Sequence, residues 1–310
     1  MFHGIIPPLC TPLTEDGEVD TASLERLCGF LLDAGVHGLF VCGSTGEVSQ
    51  LTDRARAAAL RTVVGTAAGR VPVLAGVVDT ATPRVVEHAR TARELGADAV
   101  VATAPFYVGT ALPEVRDHYR RLAAAVDVPV VAYDIPSNVG RKLPAELLGE
   151  LARDGVIAAV KDSSGDLESF QRLLDATDGT GTACLTGSEK LADLALLRGA
   201  HGVVPGLGNI DPHGYLRLHR AAGDGDWDTA RREQRRLTRL FAAVTAAADP
   251  ARVGPVSAAL GAFKTALVLR GVIDRADTLP PLLPLTGEET ERIATCLADA
   301  GLLPEPASRT

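Results

Sequence analysis

Eight short apolar runs separated by longer amphipathic segments occupy the chain from its start to about residue 222, and this alternation restricts the fold more than any other feature. The runs cover residues 5–10, 38–42, 71–77, 99–104, 129–134, 156–162, 182–187 and 202–205. They show little polar alternation, the pattern of parallel strands covered on both faces. Between them, segments such as 23–34, 53–67, 83–95 and 113–125 repeat apolar residues at helical spacing. Eight strands with eight intervening helices predict an α/β chain folded as a (β/α)8 TIM barrel. The competing arrangement, a doubly wound open sheet, calls for a GxGxxG turn after the first strand. Pro7-Pro8-Leu9-Cys10-Thr11-Pro12 holds no such turn, so the barrel is preferred.

Thr52-Asp53, Thr82-Pro83 and Leu143-Pro144 place a capping residue or a helix-opening proline where the pattern turns helical. Beyond residue 222 the strand signals stop. Helical patterns at 227–246, 256–269 and 288–300 are separated by Asp249-Pro250 and by a proline-rich stretch at 280–284. They predict a C-terminal helical appendage packed on the barrel. The division is therefore a barrel over 1–222 and a helical region over 223–310, with residues 304–310 frayed.

A chain of 310 residues with 46% apolar content has material for one large core, which excludes disorder. The net charge of −8 offers no basic face for nucleic acid and no polybasic anchor for a membrane. Five cysteines (Cys10, Cys28, Cys42, Cys184 and Cys296) lack CxxC spacing and read as reduced thiols rather than a disulfide framework. The opening Met1-Phe2-His3-Gly4-Ile5 has neither a basic n-region nor a long apolar stretch, so no signal peptide is expected. No run approaches the roughly 18 apolar residues of a membrane helix. These signs point to a cytoplasmic protein.

In such a barrel, chemistry sits at the carboxyl ends of the strands. That rule selects Gly43-Ser44-Thr45-Gly46-Glu47, Ala104-Pro105-Phe106-Tyr107, Tyr133-Asp134-Ile135-Pro136, Val160-Lys161-Asp162-Ser163-Ser164-Gly165 and Gly187-Ser188-Glu189. Lys161 is the most informative of these residues. It ends an apolar run and should point into the barrel mouth, where burial disfavours an ammonium and favours the neutral amine an imine requires. The alternative is a lysine that reaches solvent or pairs with Asp162. The Gly43–Glu47 turn is a sensible cradle for a small anion, or an ordinary βα turn; it lacks the GK[ST] ending of a P-loop. Tyr133 is either a proton shuttle or a core tyrosine with its hydroxyl satisfied. His3, His37, His88, His118, His201, His213 and His219 show no HxxxH or HxH spacing, so no metal is expected, and no GxSxG elbow is present. Lys264 and Arg270, on a late helix, read as solvated or snorkelling side chains.

Taken together, Gly43-Ser44-Thr45-Gly46-Glu47, Tyr133-Asp134-Ile135-Pro136 and Val160-Lys161-Asp162 resemble the dihydrodipicolinate synthase/N-acetylneuraminate lyase family. The resemblance covers nearly the whole chain, including Gly4-Ile5-Ile6-Pro7-Pro8-Leu9-Cys10-Thr11-Pro12, Val71-Pro72-Val73-Leu74-Ala75-Gly76 and Ala300-Gly301-Leu302-Leu303. It implies a Schiff-base-forming carbon–carbon lyase that uses pyruvate with an aldehyde or 2-oxo acid, needs no cofactor, and works as a dimer or tetramer. By the same resemblance, Lys161 matches the imine lysine and Tyr133 the proton-relaying tyrosine. Ser44 matches a member of the relay, and Thr45 and Gly46 match the carboxylate cradle. Tyr107 matches a tyrosine that reaches the neighbouring subunit's relay. Val203 matches a strand-eight position whose backbone touches pyruvate, and Ser163 and Asn138 match further substrate contacts.

One departure bears on substrate. In the synthases the segment after the tyrosine typically reads Pro-Ser-Arg-Thr-Gly, and its arginine grips the carboxylate of aspartate semialdehyde. Here it reads Pro136-Ser137-Asn138-Val139-Gly140, and an asparagine makes no bidentate ion pair. The asparagine and the run Lys161-Asp162-Ser163-Ser164-Gly165-Asp166 are more similar to the 4-hydroxy-2-oxoglutarate aldolase branch, a resemblance that implies an aldolase acting on a 4-hydroxy-2-oxo acid. The alternatives are 4-hydroxy-tetrahydrodipicolinate synthesis and, less favoured, a non-catalytic 2-oxo-acid-binding protein.

Overall fold

The computed structural model describes residues 2–303, so the expectation for 304–310 lies outside the described residues. Eight strands run in chain order: β1 (Gly4–Ile5), β2 (Leu39–Val41), β3 (Val73–Gly76), β4 (Ala99–Thr103), β5 (Val130–Asp134), β6 (Ala159–Asp162), β7 (Ala183–Thr186) and β8 (Gly202–Val203). Every neighbouring pair is parallel, in the order β1-β8-β7-β6-β5-β4-β3-β2. The two ends of that order meet. The Leu9 N–H donates to the Phe40 carbonyl at 2.8 Å, and the Phe40 N–H donates to the Pro7 carbonyl at 3.1 Å. The sheet thereby closes as the expected TIM barrel. The strands are shorter than the apolar runs, because a flanking residue such as Cys10 is buried with its N–H donated to the Asn209 side chain at 3.1 Å rather than to a strand.

The strand pleat sorts side chains into two cores. Ile6, Phe40, Leu74, Val101, Val131, Tyr133, Ala159 and Leu185 fill the barrel interior. Their sequence neighbours, such as Val41, Val100, Ala132 and Val160, face the surrounding helices. Those helices are α1 (Thr21–Ala34), α2 (Asp53–Ala67), α3 (Thr82–Glu94), α4 (Leu112–Ala125), the single turn α5 (Pro136–Val139), α6 (Ala145–Arg153), α7 (Leu167–Thr177), α8 (Ala192–Leu197) and α9 (Pro212–Gly223). Thr52 caps α2 as expected, its side chain accepting from the Ala55 N–H at 3.2 Å. The other two start signals are displaced by a residue. Thr82 lies inside α3, with its hydroxyl 2.9 Å from His118 Nδ1, and Pro144 itself holds the cap position of α6.

Three helices follow: α10 (Trp227–Ala246), α11 (Pro255–Leu269) and α12 (Gly287–Asp299). The run Pro255–Leu269 has almost no polar face, so α11 is buried on nearly all sides. Among the described residues no helix is long and apolar enough to cross a membrane. All five cysteines are free, and burial pushes the thiols of Cys10, Cys28 and Cys42 up to about 12, which keeps them unreactive.

Candidate functional site

The pleat places Lys161 on the inward face with Ala159, beside Tyr133 of β5 and Leu185 of β7 in the strand register. Lys161 is only 5% exposed. Its Nζ lies 4.0 Å from the centroid of the Tyr133 ring and 4.7 Å from that of Phe40. It does not pair with Asp162, which disposes of the simplest structural role. Burial alone would raise the Tyr133 phenol. The charge of Lys161 and hydrogen bonding with Ser44, Ser163 and Lys161 outweigh it, holding the phenol below its usual value.

Ser44 comes from a turn of 3-10 helix, Ser44–Gly46, that follows β2. Non-glycine residues in left-handed conformations bracket it: Cys42 at φ 54° and Glu47 at φ 59°. The Cys42 carbonyl packs against Gly76, where a Cβ would come within 1.8 Å of its oxygen, so only glycine fits. The turn's leading amides, Ser44 and Thr45, have no partner within so short a helix and are free to meet an anion. The Gly46 N–H is different: it donates to the Gly43 carbonyl at 3.0 Å, which leaves Gly46 a structural part in the turn.

The turn is bolted from several directions. The Thr11 hydroxyl donates to the Gly46 carbonyl at 2.8 Å, and an Arg56 nitrogen donates to the Val48 carbonyl at 2.8 Å. The Glu47 carboxylate accepts from the Leu279 N–H at 2.7 Å and forms an ion pair with Lys264. Lys264 is fully buried in α11 and also donates to the Asp277 carbonyl at 2.6 Å. This corrects the reading of Lys264 as a solvated side chain. Arg270 is corrected likewise: it donates to the Ile210 carbonyl and stacks 5.0 Å from the Phe30 ring centroid. Neither role was visible locally, since the partners lie far along the chain.

Strands β5 and β6 are sewn together at their carboxyl ends by Lys142. Its ammonium pairs with Asp134, and with Asp162 at 2.8 Å. Burial works against the charged form of Lys142, but hydrogen bonds to the two carboxylates prevail and raise its pKa. Asp134 also accepts from the Leu143 N–H at 3.0 Å, and Asp162 accepts from the Ser164 N–H at 2.7 Å. Ser163 is held by its own N–H, which donates to the Asp134 carbonyl at 2.8 Å. A Cβ on Gly187, just after β7, would come within 2.0 Å of the Ser163 hydroxyl and 3.2 Å of Lys161 Cε, so any larger residue there would displace the Ser163 side chain. Lys142 is thus a site-supporting residue that sequence reasoning passed over, while Gly187 lies in a strand end it had selected.

Above this floor lies a cavity of about 450 Å3 that touches Ser44, Thr45, Thr103, Ile135 and Asn138. Residues of α11, among them Val256, Leu260 and Phe263, form one wall, so this C-terminal helix is part of the cavity. The fold therefore brings together Lys161, Tyr133, Ser44, Thr45 and Ser163, with Asn138 at the cavity's rim. Val203 is buried in β8. Tyr107 stands apart: it is 94% exposed, at φ 77°, and lies outside this cavity.

The arrangement is shared with known proteins. The family model described as "Dihydrodipicolinate synthetase family" matches residues 1–300. The chain belongs to that family. Among curated relatives, a DapA-like lyase of Halobacterium salinarum, named as uncharacterized, is 38% identical over 305 residues, 97% of this chain and 95% of the relative. A 4-hydroxy-tetrahydrodipicolinate synthase of Methanosphaerula palustris is 30% identical over 300 residues, 96% of this chain and 99% of the relative. Among solved structures, YagE, a prophage protein of the dihydrodipicolinic acid synthase family from E. coli K12 in complex with pyruvate, superposes with TM-score 0.90 at 29% identity, covering 97% of this chain and 99% of that one. The dihydrodipicolinate synthase of Bacteroides thetaiotaomicron gives TM-score 0.90 at 32% identity, covering 96% and 98%. Family membership covers both the barrel and the helices that wall the cavity.

Proposed function

We propose that this family member is a pyruvate-dependent class I aldolase or lyase that makes or breaks a carbon–carbon bond beside pyruvate, with a 4-hydroxy-2-oxo acid as the joined compound. The observation that carries the reading is the placement of Lys161: buried, unpaired with any carboxylate among the described residues, and 4.0 Å from the Tyr133 ring centroid. The Lys161 amine attacks the ketone of pyruvate, and loss of water leaves an imine. Its electron-withdrawing carbon–nitrogen bond allows a methyl proton to leave, giving an enamine nucleophile. Tyr133 and Ser44 pass the protons; a phenol held below its usual pKa lies nearer the range in which acid–base groups work best. The Ser44 and Thr45 amides, with the Thr45 hydroxyl, hold the pyruvate carboxylate. Ser163 orients the tyrosine, and the backbone at Val203 lines the floor. The pyruvate complex of YagE supports pyruvate as the donor.

Tyr107 is assigned to the site of a second copy, which makes the working unit at least a dimer. Its exposure of 94% beside the 60% exposed Val108 is the supporting observation. The relatives named 4-hydroxy-tetrahydrodipicolinate synthase favour a second reading, condensation of pyruvate with aspartate semialdehyde. Asn138, which carries no charge, argues against it.

Incubating the protein with pyruvate and borohydride is the test. A reduced pyruvyl group on Lys161, located by peptide mass mapping and absent from a folded Lys161→Ala variant, is the expected result. Labelling of a different lysine, or no labelling, overturns the mechanism. Rapid dihydrodipicolinate formation from aspartate semialdehyde would instead select the second reading.

A further inference from the structure

Resting on the aldolase reading, we infer that the aldehyde partner carries an uncharged, mainly apolar substituent, which the apolar wall of the cavity is built to receive. Val78, Ile135, Val139, Val256, Leu260 and Phe263 line the cavity beside the polar Ser49, Gln50, Thr103 and Asn138, and among the described residues no lysine, arginine or histidine lines it. The cations nearby are committed elsewhere. Lys142 is held by Asp134 and Asp162, and Lys264 by Glu47. Arg56 is spent on the carbonyls of Val48 and Val78, and Arg141 on that of Thr110. A second carboxylate, beyond the one proposed for the Ser44 and Thr45 amides, would lose water in this cavity without gaining a counter-ion, which is costly. An alkyl or aryl group would gain from the same wall by leaving water.

The volume agrees with this assignment. A cavity of about 450 Å3 falls in the range of roughly 300–1,000 Å3 typical of small-molecule sites, well beyond what a one- or two-carbon aldehyde needs. The reaction balances without a further reagent. The enamine carbon attacks the aldehyde carbon, the carbonyl π pair takes a proton from Tyr133 to become a hydroxyl, and water hydrolyses the imine. The free Lys161 amine and a 4-hydroxy-2-oxo acid with the apolar group on C4 are released.

The experiment uses the unaltered protein with pyruvate and two aldehyde series, assayed for product by chromatography and mass spectrometry. The neutral series runs acetaldehyde, butanal, pentanal, hexanal and benzaldehyde; the charged series is glyoxylate, succinic semialdehyde and aspartate semialdehyde. Along the neutral series kcat/KM should rise about fourfold per added methylene until the cavity is filled. Pentanal should exceed succinic semialdehyde, similar to it in length, by at least about tenfold. Val256→Arg, at a position 49% exposed and tolerant of a long side chain, should narrow that ratio by about tenfold or more. Preference for the charged aldehydes, or a flat neutral series, overturns the inference even if borohydride trapping of the Lys161 imine succeeds. Absence of the imine overturns the aldolase reading and this inference with it.

Discussion

Two loops that end barrel strands, 42–48 after β2 and 104–110 after β4, both contain non-glycine residues in the left-handed region, yet they are held in opposite ways. Cys42 and Glu47 are 3% and 1% exposed, and their conformations are fixed by the close approach to Gly76, the Thr11 hydroxyl and the buried Lys264 ion pair. Tyr107, at φ 77°, is 94% exposed, and among the described residues the far side of its loop is hydrogen-bonded where Arg141 meets the Thr110 carbonyl and the Ala111 N–H meets Glu114. Strained backbone persists where the surroundings over-determine it, and it gathers at functional sites. The first loop is thus a finished turn, as the proposed anion cradle requires. The second has the strain without the support, which is what a loop completed by a second copy would show in a lone chain.

The largest expected effect concerns what the cradle does without its relay. Tyr133→Phe should lower kcat by about 10²–10⁴-fold while pyruvate binding through Ser44 and Thr45 stays near normal. Parallel losses in turnover and in pyruvate affinity would merge cradle and relay into one unit and spoil the comparison.

Breaking the bolt comes next. Lys264→Met leaves the Glu47 carboxylate buried without its partner and should destabilise the protein by roughly 3–5 kcal/mol in urea unfolding. Adding Glu47→Gln should recover part of that loss. A Lys264→Met protein within about 1 kcal/mol of the parent would show that the other contacts hold the turn unaided.

Tyr107 offers the converse test. Tyr107→Gly should shift unfolding of the isolated chain by no more than about 1 kcal/mol, since a left-handed glycine relieves strain where little packing is lost. If Tyr107 serves the neighbouring copy, co-expressing Lys161→Ala with Tyr107→Phe should restore about a quarter of the sites, because half of randomly formed dimers are mixed and each has one intact site. Activity equal to the average of the two mutants alone would return Tyr107 to its own chain.

A pH dependence is also expected just beyond β7, at Glu189. Burial pushes the Glu189 carboxyl up to about 7, against the opposing Leu207 N–H and the charges of Lys161 and Lys190. Because the folded value lies above the unfolded one, its contribution to stability is full below about 4.5 and is lost as pH rises through about 7. Glu189→Gln should flatten the stability profile over that window; an unchanged profile would remove Glu189 from the account.

Local periodicity by itself determined the barrel, its eight strands and the bounds of α10, α11 and α12 to within a residue or two, because strand and helix repeats are written in neighbouring side chains. It also placed Lys161 at a strand end, and the pleat then dictated that it faces inward. The motif resemblance made the candidate relay legible. What only the tertiary structure decided depends on residues distant in sequence. Lys264 looked like any helical lysine until α11 was seen to bury it against Glu47. Lys142 gave no sign of bridging Asp134 and Asp162. The apolar wall from α11 emerged only when that helix was laid across the barrel mouth. Burial and pairing are properties of packing, and no local pattern states which distant side chain will share a low-dielectric space with which charge.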